Sequence, residues 1–525
     1  MSAPGGPSDT DVLIVGAGPT GLTLAALLAE AGVRFRLVER AAVASDKSRA
    51  LVVHARTLEL LDKLDVAAPL LAIGRRAVAA RVYIEKQKAF DVELGDVGVT
   101  DTPYSFVLFV SQAETEAALT KALEDRGGTI ERGLDVKELT QDGDGITAKC
   151  VHLADNREET IRARYVVGCD GAHSVVRHAG SFTFEGEPYL QDFVLADVLV
   201  DFEDADDAVP RLTLCFNDDG LVALFPFEQK GRFRVIATRP DAPKDASDPT
   251  LEEAQALVDR FTPLRTKLHD PKWLTRFRLH HRQADRYRDG RFFLAGDAAH
   301  IHSPAGGQGM NTGIYDAFNL GWKLALVLKE HAHEALLGTY DEERHPVGAQ
   351  LLRTTDRMFS LNTSKNRAIL ALRNFVVRRI APMLVKTRGK TAAFRFLSEL
   401  DIAYPKSSLV LERGLRLEHP PRAGMRAPDA KLDGATVFEA TKELGHHLLV
   451  FAEDQPKARA FASEMKSAHP WLVAHVVPRG ASEARKRFGI PDEGVVLVRP
   501  DGYIGARSVG LDGGVVEAAK QRIFG

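Results

Sequence analysis

Asp11-Val12-Leu13-Ile14-Val15-Gly16-Ala17-Gly18-Pro19-Thr20-Gly21 is the stretch on which the fold turns. A short apolar run of strand character meets a glycine-rich turn. A helical pattern follows from Thr20 to Ala31, stopped by Gly32. Phe35 to Glu39 reads as a second strand, so the chain opens on a βαβ unit. In such a turn Gly16 permits the tight bend, Gly18 lets a pyrophosphate reach the backbone, and Gly21 allows close helix–strand packing. Pro19 and Thr20 stand at the helix start, where free N–H groups and the positive end of the helix suit an anion. Glu39 ends the second strand, with Arg40 beside it, where a carboxylate can bind both ribose hydroxyls. An acidic residue there disfavours a 2′-phosphate, so the expected bound cofactor is FAD or NAD rather than NADP.

The rest of the opening excludes several classes. The run from Val12 to Leu28 is apolar, but Gly16, Gly18, Pro19 and Gly21 break it, and a membrane span needs about 20 such residues. It reads as a buried strand, turn and helix. Met1 to Thr10 is polar and Gly/Pro-rich, with neither a basic start nor an apolar signal core. Lys+Arg 69 against Asp+Glu 72 gives a net charge of −3, which argues for neither nucleic acid nor an anionic membrane as partner. Cys150, Cys169 and Cys215 have no C-x-x-C or metal-ligand spacing, and a reducing, cytoplasmic setting fits them.

At 525 residues the chain is too long for one hydrophobic core. The expected fold class is α/β, in four segments. Residues 1–185 form the first part of a Rossmann-type dinucleotide-binding domain. Residues 186–285 form an inserted mixed β-sheet for substrate, joined by strands from 78–110. Residues 286–405 return to the first domain and add helices, and residues 410–525 form a separate α/β unit. Within the first part, residues 48–64 read as an amphipathic helix, and Ser111 with Glu114 as a capping box opening another. In the middle, Asp192–Val200, Arg211–Phe216, Leu221–Phe227, Phe233–Thr238 and Thr275–His281 read as strands between turn residues. A long helix is expected from about Met310 to Lys329.

Two later segments narrow the function. Tyr165-Val166-Val167-Gly168-Cys169-Asp170-Gly171, followed by Arg177, is one; Arg291 to His300, with Gly296-Asp297 at its turn, is the other. With the glycine loop they resemble, in this order, the three fingerprints of the para-hydroxybenzoate-hydroxylase-type flavoprotein monooxygenases. The C-terminal unit, with Gly489-Ile490-Pro491 and Arg499-Pro500-Asp501-Gly502, resembles the thioredoxin-like tail of the phenol and polyketide hydroxylase branch. The resemblance implies bound, non-covalent FAD, transient NADPH or NADH, and O2. It also implies hydroxylation of a small aromatic substrate, phenolic or polyketide-type, through a flavin C4a-hydroperoxide. Residue by residue, it implies Glu39 on the adenosine ribose and Arg49 and Gln112 near the diphosphate and ribityl chain. Asp297 would bind ribityl hydroxyls, Met310 and Asn311 the flavin pyrimidine edge, and Asp170 both FAD and NAD(P)H, with Gly296 and Gly309 also at the cofactor. The tail lacks cysteines, which excludes disulfide exchange; packing on the flavin domain or within a homodimer is the role left for it.

The stretch from His302 through Pro304, Ala305 and Gly306 to Gly309 is small enough for a ring system to lie against backbone. Phe225 and Phe227, in an alternating strand, are candidate pocket residues with it, although alternation mostly marks ordinary core. No Arg is evident for a small carboxylate substrate. His300 and His302 show no acidic or Cys partner by spacing, so no metal is expected. No nucleophile or general base stands out, as expected when a flavin carries the chemistry. The alternatives are a flavin-dependent reductase or dehydrogenase of the same fold, and a flavin-binding regulator without turnover. None of Trp273, Trp322 and Trp471 lies in a W-x-W-x-I-P halogenase arrangement.

Overall fold

The computed structural model describes residues 9–525 apart from 46–49, 77–78, 94, 96, 241–246, 302–306, 330, 363–365, 386–388, 415–420 and 491. The fold is mixed α/β. Its first sheet grows from Thr10–Val15, which pairs in parallel with Phe35–Glu39 on one side and Glu158–Gly168 on the other. Phe292–Leu294 extends it in parallel beyond Gly168, so a segment about 275 residues downstream of the glycine loop lies two strands away from it. Strands buried on both faces need apolar residues throughout; Val12, Leu13, Ile14, Val166 and Val167 are all buried.

Helix Pro19–Glu30 follows the first strand, with Pro19 in the first turn, where its missing N–H costs nothing. It packs against the long helix Gly309–Leu328. Thr20 lies against Gly313, and Leu24 and Leu27 against Gly321. Start meets start and middle meets middle, so the two helices run parallel and present their N-termini on one side. Ser111 caps helix Gln112–Asp125 by accepting from the Glu114 N–H.

The second sheet is built mainly from Phe184–Phe202, Leu212–Phe216, Leu221–Pro226, Arg232–Arg239 and Thr266–Ala284, with Ala79–Ile84 and Gln87–Glu93 at its far edge. Its pairs are antiparallel except Leu212–Phe216 with Ala79–Ile84. Val194, Ala196, Val198, Val222, Val235 and Ala237 pack under helix Leu251–Phe261. The opposite face looks at the first domain.

The stretch 48–64 differs from the expected helix. Val52–Val53 is a short strand paired with Leu108–Phe109, and the helix is confined to Ala55–Asp62. The final expected strand of the middle sheet runs over Thr266–Ala284, well beyond Thr275–His281.

The C-terminal unit is a five-stranded sheet ordered Leu411–Arg413, Ile504–Val509, Gly494–Val498, His446–Phe451, Leu472–Val477. It is fastened to the first domain by buried charge. Glu343 accepts from Lys323 at 2.9 Å, Asn319 at 2.7 Å, Ser407 at 2.7 Å and Arg499 at 2.5 and 2.9 Å. Burial opposes its ionisation, but Arg499 and Lys323 hold the carboxyl well below its ordinary range. Asp501 adds contacts to Trp322 at 3.3 Å and Asn319 at 3.4 Å. Its carbonyl accepts from Arg56 at 2.5 Å, and the Arg56 guanidinium lies over the Tyr503 ring. Arg499→Leu would leave Glu343 buried with Lys323 as its only cation. Removing one partner of a buried ion pair costs about 3–5 kcal/mol. The denaturant midpoint should fall accordingly, with the slope of the transition unchanged; a midpoint equal to that of the unaltered chain would show that the clamp contributes no stability.

Candidate functional site

Where the parallel helices end, a cavity of about 720 Å³ opens between the first sheet and the second. That lies within the range of ligand and cofactor pockets. Gly16, Gly18, Pro19 and Thr20 line it, as do Glu39 and Arg40 from the second strand. Gln112, Asp170, Asp297, Gly309 and Met310 line it too, drawn together from four separate places in the sequence. Phe225 lines it from the second sheet. Gly21 and Gly296 sit behind this wall.

Each glycine of the loop has its own reason. Gly16 has φ +99°, and a Cβ there would meet the Cys169 carbonyl at 2.4 Å. A Cβ on Gly21 would lie 2.0 Å from the Gly16 oxygen. Both are required by packing. Gly18 is different: nothing lies within 4 Å of its Cβ position, so the space it leaves faces the cavity. Thr20 completes the arrangement. Its Oγ1 would stand 2.6 Å from a Cβ on Gly296 and 2.3 Å from one on Gly313, so only glycines allow that approach.

The polar groups fit an anionic, hydroxyl-rich ligand. Glu39 accepts from the Ala17 and Ala41 N–H groups at 2.8 Å each, which fixes its carboxylate at the loop while leaving lone pairs for ribose hydroxyls. Arg40 is exposed beside Asp135 at the rim. Gln112 accepts from the Ala50 N–H at 3.0 Å. Asp170 accepts from the Val175 N–H at 2.7 Å, while its buried Oδ1 has no hydrogen-bond partner among the described residues. Burial pushes its carboxyl up. Arg177 ties this loop to the third segment by donating to Ala298 and Ala172. An orphaned oxygen, an open position at Gly18 and two helix N-termini together match the demands of a dinucleotide.

Several sequence expectations fall elsewhere. Asn311 is fully buried, and its side chain is occupied by the N–H of His54 and the carbonyls of Val52 and Gly307. Only its main-chain N–H, in the first turn of Gly309–Leu328, remains available at that end. Phe227 packs with Leu51, Val52 and Phe109 rather than on the cavity surface. Arg49, Pro304, Ala305 and Gly306 lie outside the described residues. His300 does have an acidic partner, Asp316 at 2.8 Å, itself paired with Arg344 at 2.7 Å.

Sequence reading also missed an arginine. Antiparallel register sets Trp273, Asp197, Arg234 and Phe225 in one row across four strands. Arg234 lines the cavity and is gripped by Asp197 through Nε and a terminal nitrogen, both at 2.8 Å. A charged residue inside the run Phe233 to Thr238, with apolar neighbours on either side, was the available signal.

Residues 9–355 match the FAD binding domain family, and residues 420–525 match the aromatic-ring hydroxylase C-terminal family. Pentachlorophenol 4-monooxygenase of Sphingobium chlorophenolicum is 34% identical, over 98% of this chain and 96% of its own. Among solved structures, an anhydrotetracycline hydroxylase from Streptomyces rimosus superposes with a TM-score of 0.77 at 32% identity, covering 98% of this chain and 99% of the other. Aklavinone-11 hydroxylase, solved with FAD and aklavinone, superposes with a TM-score of 0.79 at 25% identity and 99% coverage of both. The class is a flavoprotein oxygenase. More particularly, the chain belongs to the FAD-dependent aromatic-ring monooxygenases, and it is an enzyme. No described helix is long and apolar enough to cross a membrane.

Gly16 and Gly18 separate fold from ligand. Gly16→Ala should prevent the domain from folding. Gly18→Ala should leave the apoprotein's unfolding free energy within about 1 kcal/mol of the unaltered protein's yet abolish FAD retention on a desalting column. Equal FAD content in Gly18→Ala and the unaltered protein would refute this role for Gly18.

Proposed function

We propose that this enzyme hydroxylates an electron-rich aromatic ring, phenolic or polyketide-type, with NADPH or NADH and O2. The observation that carries the reading is the single cavity that runs from the glycine loop to the row holding Phe225 and Arg234. The names of relatives active on a chlorinated phenol and on tetracycline precursors support the substrate class. When bound, FAD supplies the reduction and oxygen-transfer chemistry; the chain's residues bind, orient and shield.

Glu39 is the proposed ribose ligand, Gln112 and Arg49 the neighbours of the diphosphate and ribityl chain, and Asp297 the ligand of the ribityl hydroxyls. Asp170 would contact both nucleotides. The N–H groups of Gly309, Met310 and Asn311, unpaired within their helix, would hold negative charge at the pyrimidine edge. Phe225 and Ile236 offer apolar surface to a flat substrate, and the Arg234–Asp197 pair beside them offers a site for its phenolic oxygen. Pro304, Ala305 and Gly306 would close the reacting edge.

The C-terminal unit is proposed to be thioredoxin-like. Its support is the order Leu472–Val477, His446–Phe451, Gly494–Val498, Ile504–Val509, with the first pair parallel and the next two antiparallel. Free Cys150, Cys169 and Cys215 fit a cytoplasmic setting. A homodimer is the proposed assembly, with the exposed Leu372, Phe375 and Met383 as its candidate face.

A phenol and polyketide panel should contain compounds that accelerate NAD(P)H consumption and take up label from 18-O2. Hydrogen peroxide as the only oxygen product across the panel would favour the oxidase or reductase alternative. Asp297→Ala should weaken FAD binding by about 1.5–3 kcal/mol, the size of a charge-assisted hydrogen bond. Equilibrium fluorescence would register that as a dissociation constant roughly 10- to 150-fold higher.

A further inference from the structure

Asp316 is a carboxylate set in the apolar run of helix Gly309–Leu328, and none of its side chain is exposed. A charge buried in this way is costly unless it is paired and hydrogen-bonded. Donors meet it on both oxygens. Oδ2 accepts from the Gly296 N–H at 3.0 Å and from His300 Nε2 at 2.8 Å, and Oδ1 accepts from Arg344 Nε at 2.7 Å. Gly296 and His300 flank Asp297 in the chain. One carboxylate therefore ties down both ends of the stretch that presents Asp297 to the cavity. Burial opposes the charge on Asp316, but Arg344 and His300 outweigh it and hold the carboxyl below its ordinary range.

Arg344 carries the link outward. Its guanidinium is a planar fork, so fixing two of its nitrogens fixes the third. Nε faces Asp316, one terminal nitrogen donates to the Thr312 carbonyl at 3.3 Å, and the other donates to the Tyr404 hydroxyl at 3.0 Å. Asp316 and Thr312 both belong to Gly309–Leu328, whereas Tyr404 is held by the C-terminal unit. Its N–H donates to the Gly424 carbonyl, and the Gly424 N–H donates to the Ile504 carbonyl, each at 2.7 Å. Its ring lies 4.4 Å from that of Tyr503, and the Arg499 guanidinium stands over both. The neighbouring Glu343 takes Arg499 directly. Consecutive residues of an α-helix point about 100° apart. One step of helix Gly338–Asn362 thus meets the C-terminal clamp with Glu343 and the flavin turn with Arg344. Among the described residues, none beyond Met310 lines the cavity.

We propose that the C-terminal unit holds FAD from a distance: Tyr404 orients Arg344, and Arg344 and Asp316 are positioning residues for the turn that carries Asp297. The proposal rests on the reading of that turn as a FAD ligand.

Tyr404→Phe tests it, because this change removes one hydroxyl and keeps the ring against Tyr503 and Arg499. FAD affinity of the full-length protein is measured by equilibrium fluorescence, and apoprotein stability by denaturant unfolding. Tyr404→Phe should raise the FAD dissociation constant roughly 2- to 10-fold, the effect of one hydrogen bond. The comparison is Asp454→Ala, which removes the exposed side chain that caps helix Gln455–Ala468 of the same unit. It should lower the unfolding midpoint and leave the dissociation constant unchanged. An unchanged dissociation constant in Tyr404→Phe overturns the proposal. A rise of the same size in Asp454→Ala overturns it as well, since FAD would then be following general stability. Asp316→Asn checks the route, because its amide accepts on one side only. In that background Tyr404→Phe should cost no further affinity, and additive losses overturn the route through Asp316. Should Asp316→Asn fail to fold, Tyr404→Phe and Asp454→Ala still decide. Asp297→Ala separates the two readings. If it leaves affinity unchanged while Tyr404→Phe weakens it, the reading of Asp297 as a ligand has failed and the link through Arg344 stands. The converse result fails the link alone.

Discussion

Thr20 is the hinge of the structure in the literal sense of position: one side chain separates helix Pro19–Glu30 from the turn at Gly296 and from helix Gly309–Leu328. Its hydroxyl would collide with a Cβ at either glycine, so the two helices approach as closely as backbone allows. That approach makes them parallel and puts both positive ends in one cavity. A single helix terminus contributes about 0.3–1 kcal/mol to a nearby surface charge, and up to about 2 kcal/mol when partly buried. Two termini converging on one cavity add their contributions there. Among the described residues, Arg40 and Lys137 on the rim share one counter-ion, Asp135.

The second sheet depends on the same geometry from the other direction. One face is ordinary core under helix Leu251–Phe261, and the other is free to be chemical. A charged pair such as Arg234 and Asp197 is costly to bury alone. It is tolerable here because both partners come from adjacent strands in direct register, so the bidentate contact requires no side chain to reach. The sheet carries a polar group to the ligand surface while its hydrophobic side stays intact.

What the sequence made legible was what neighbouring residues decide. The glycine loop and Glu39 are read from spacing because strand, turn and helix follow within a few residues, whereas the Cys169-Asp170 turn took its meaning from the family resemblance. The three fingerprints share a cavity because their strands are neighbours in one sheet, which the family resemblance implied but periodicity could not. Residues 48–64 were misread as a helix for a long-range reason: Val52–Val53 is drawn into a strand by Leu108–Phe109, more than fifty residues away. Arg234 stayed hidden because its importance rests on cross-strand register. Asn311 was placed near the right helix end, yet its side chain faces inward, a distinction that only its four partners reveal.

The fastening of the C-terminal unit has a consequence for how the enzyme is made. Arg56 leads a helix beside the cavity wall, and the carbonyl it donates to belongs to Asp501, 445 residues later. Glu343 likewise waits for Arg499. At ribosomal rates of about 5–20 residues per second, the nascent glycine loop precedes its clamp by roughly 25–95 s. During that interval Arg56 has Glu59 but not the Asp501 carbonyl, and Glu343, once made, has Lys323 but not Arg499. A chain that stops before Arg499 carries every flavin fingerprint yet lacks the Arg499 and Asp501 contacts to Glu343, Asn319 and Trp322 that fasten the C-terminal unit.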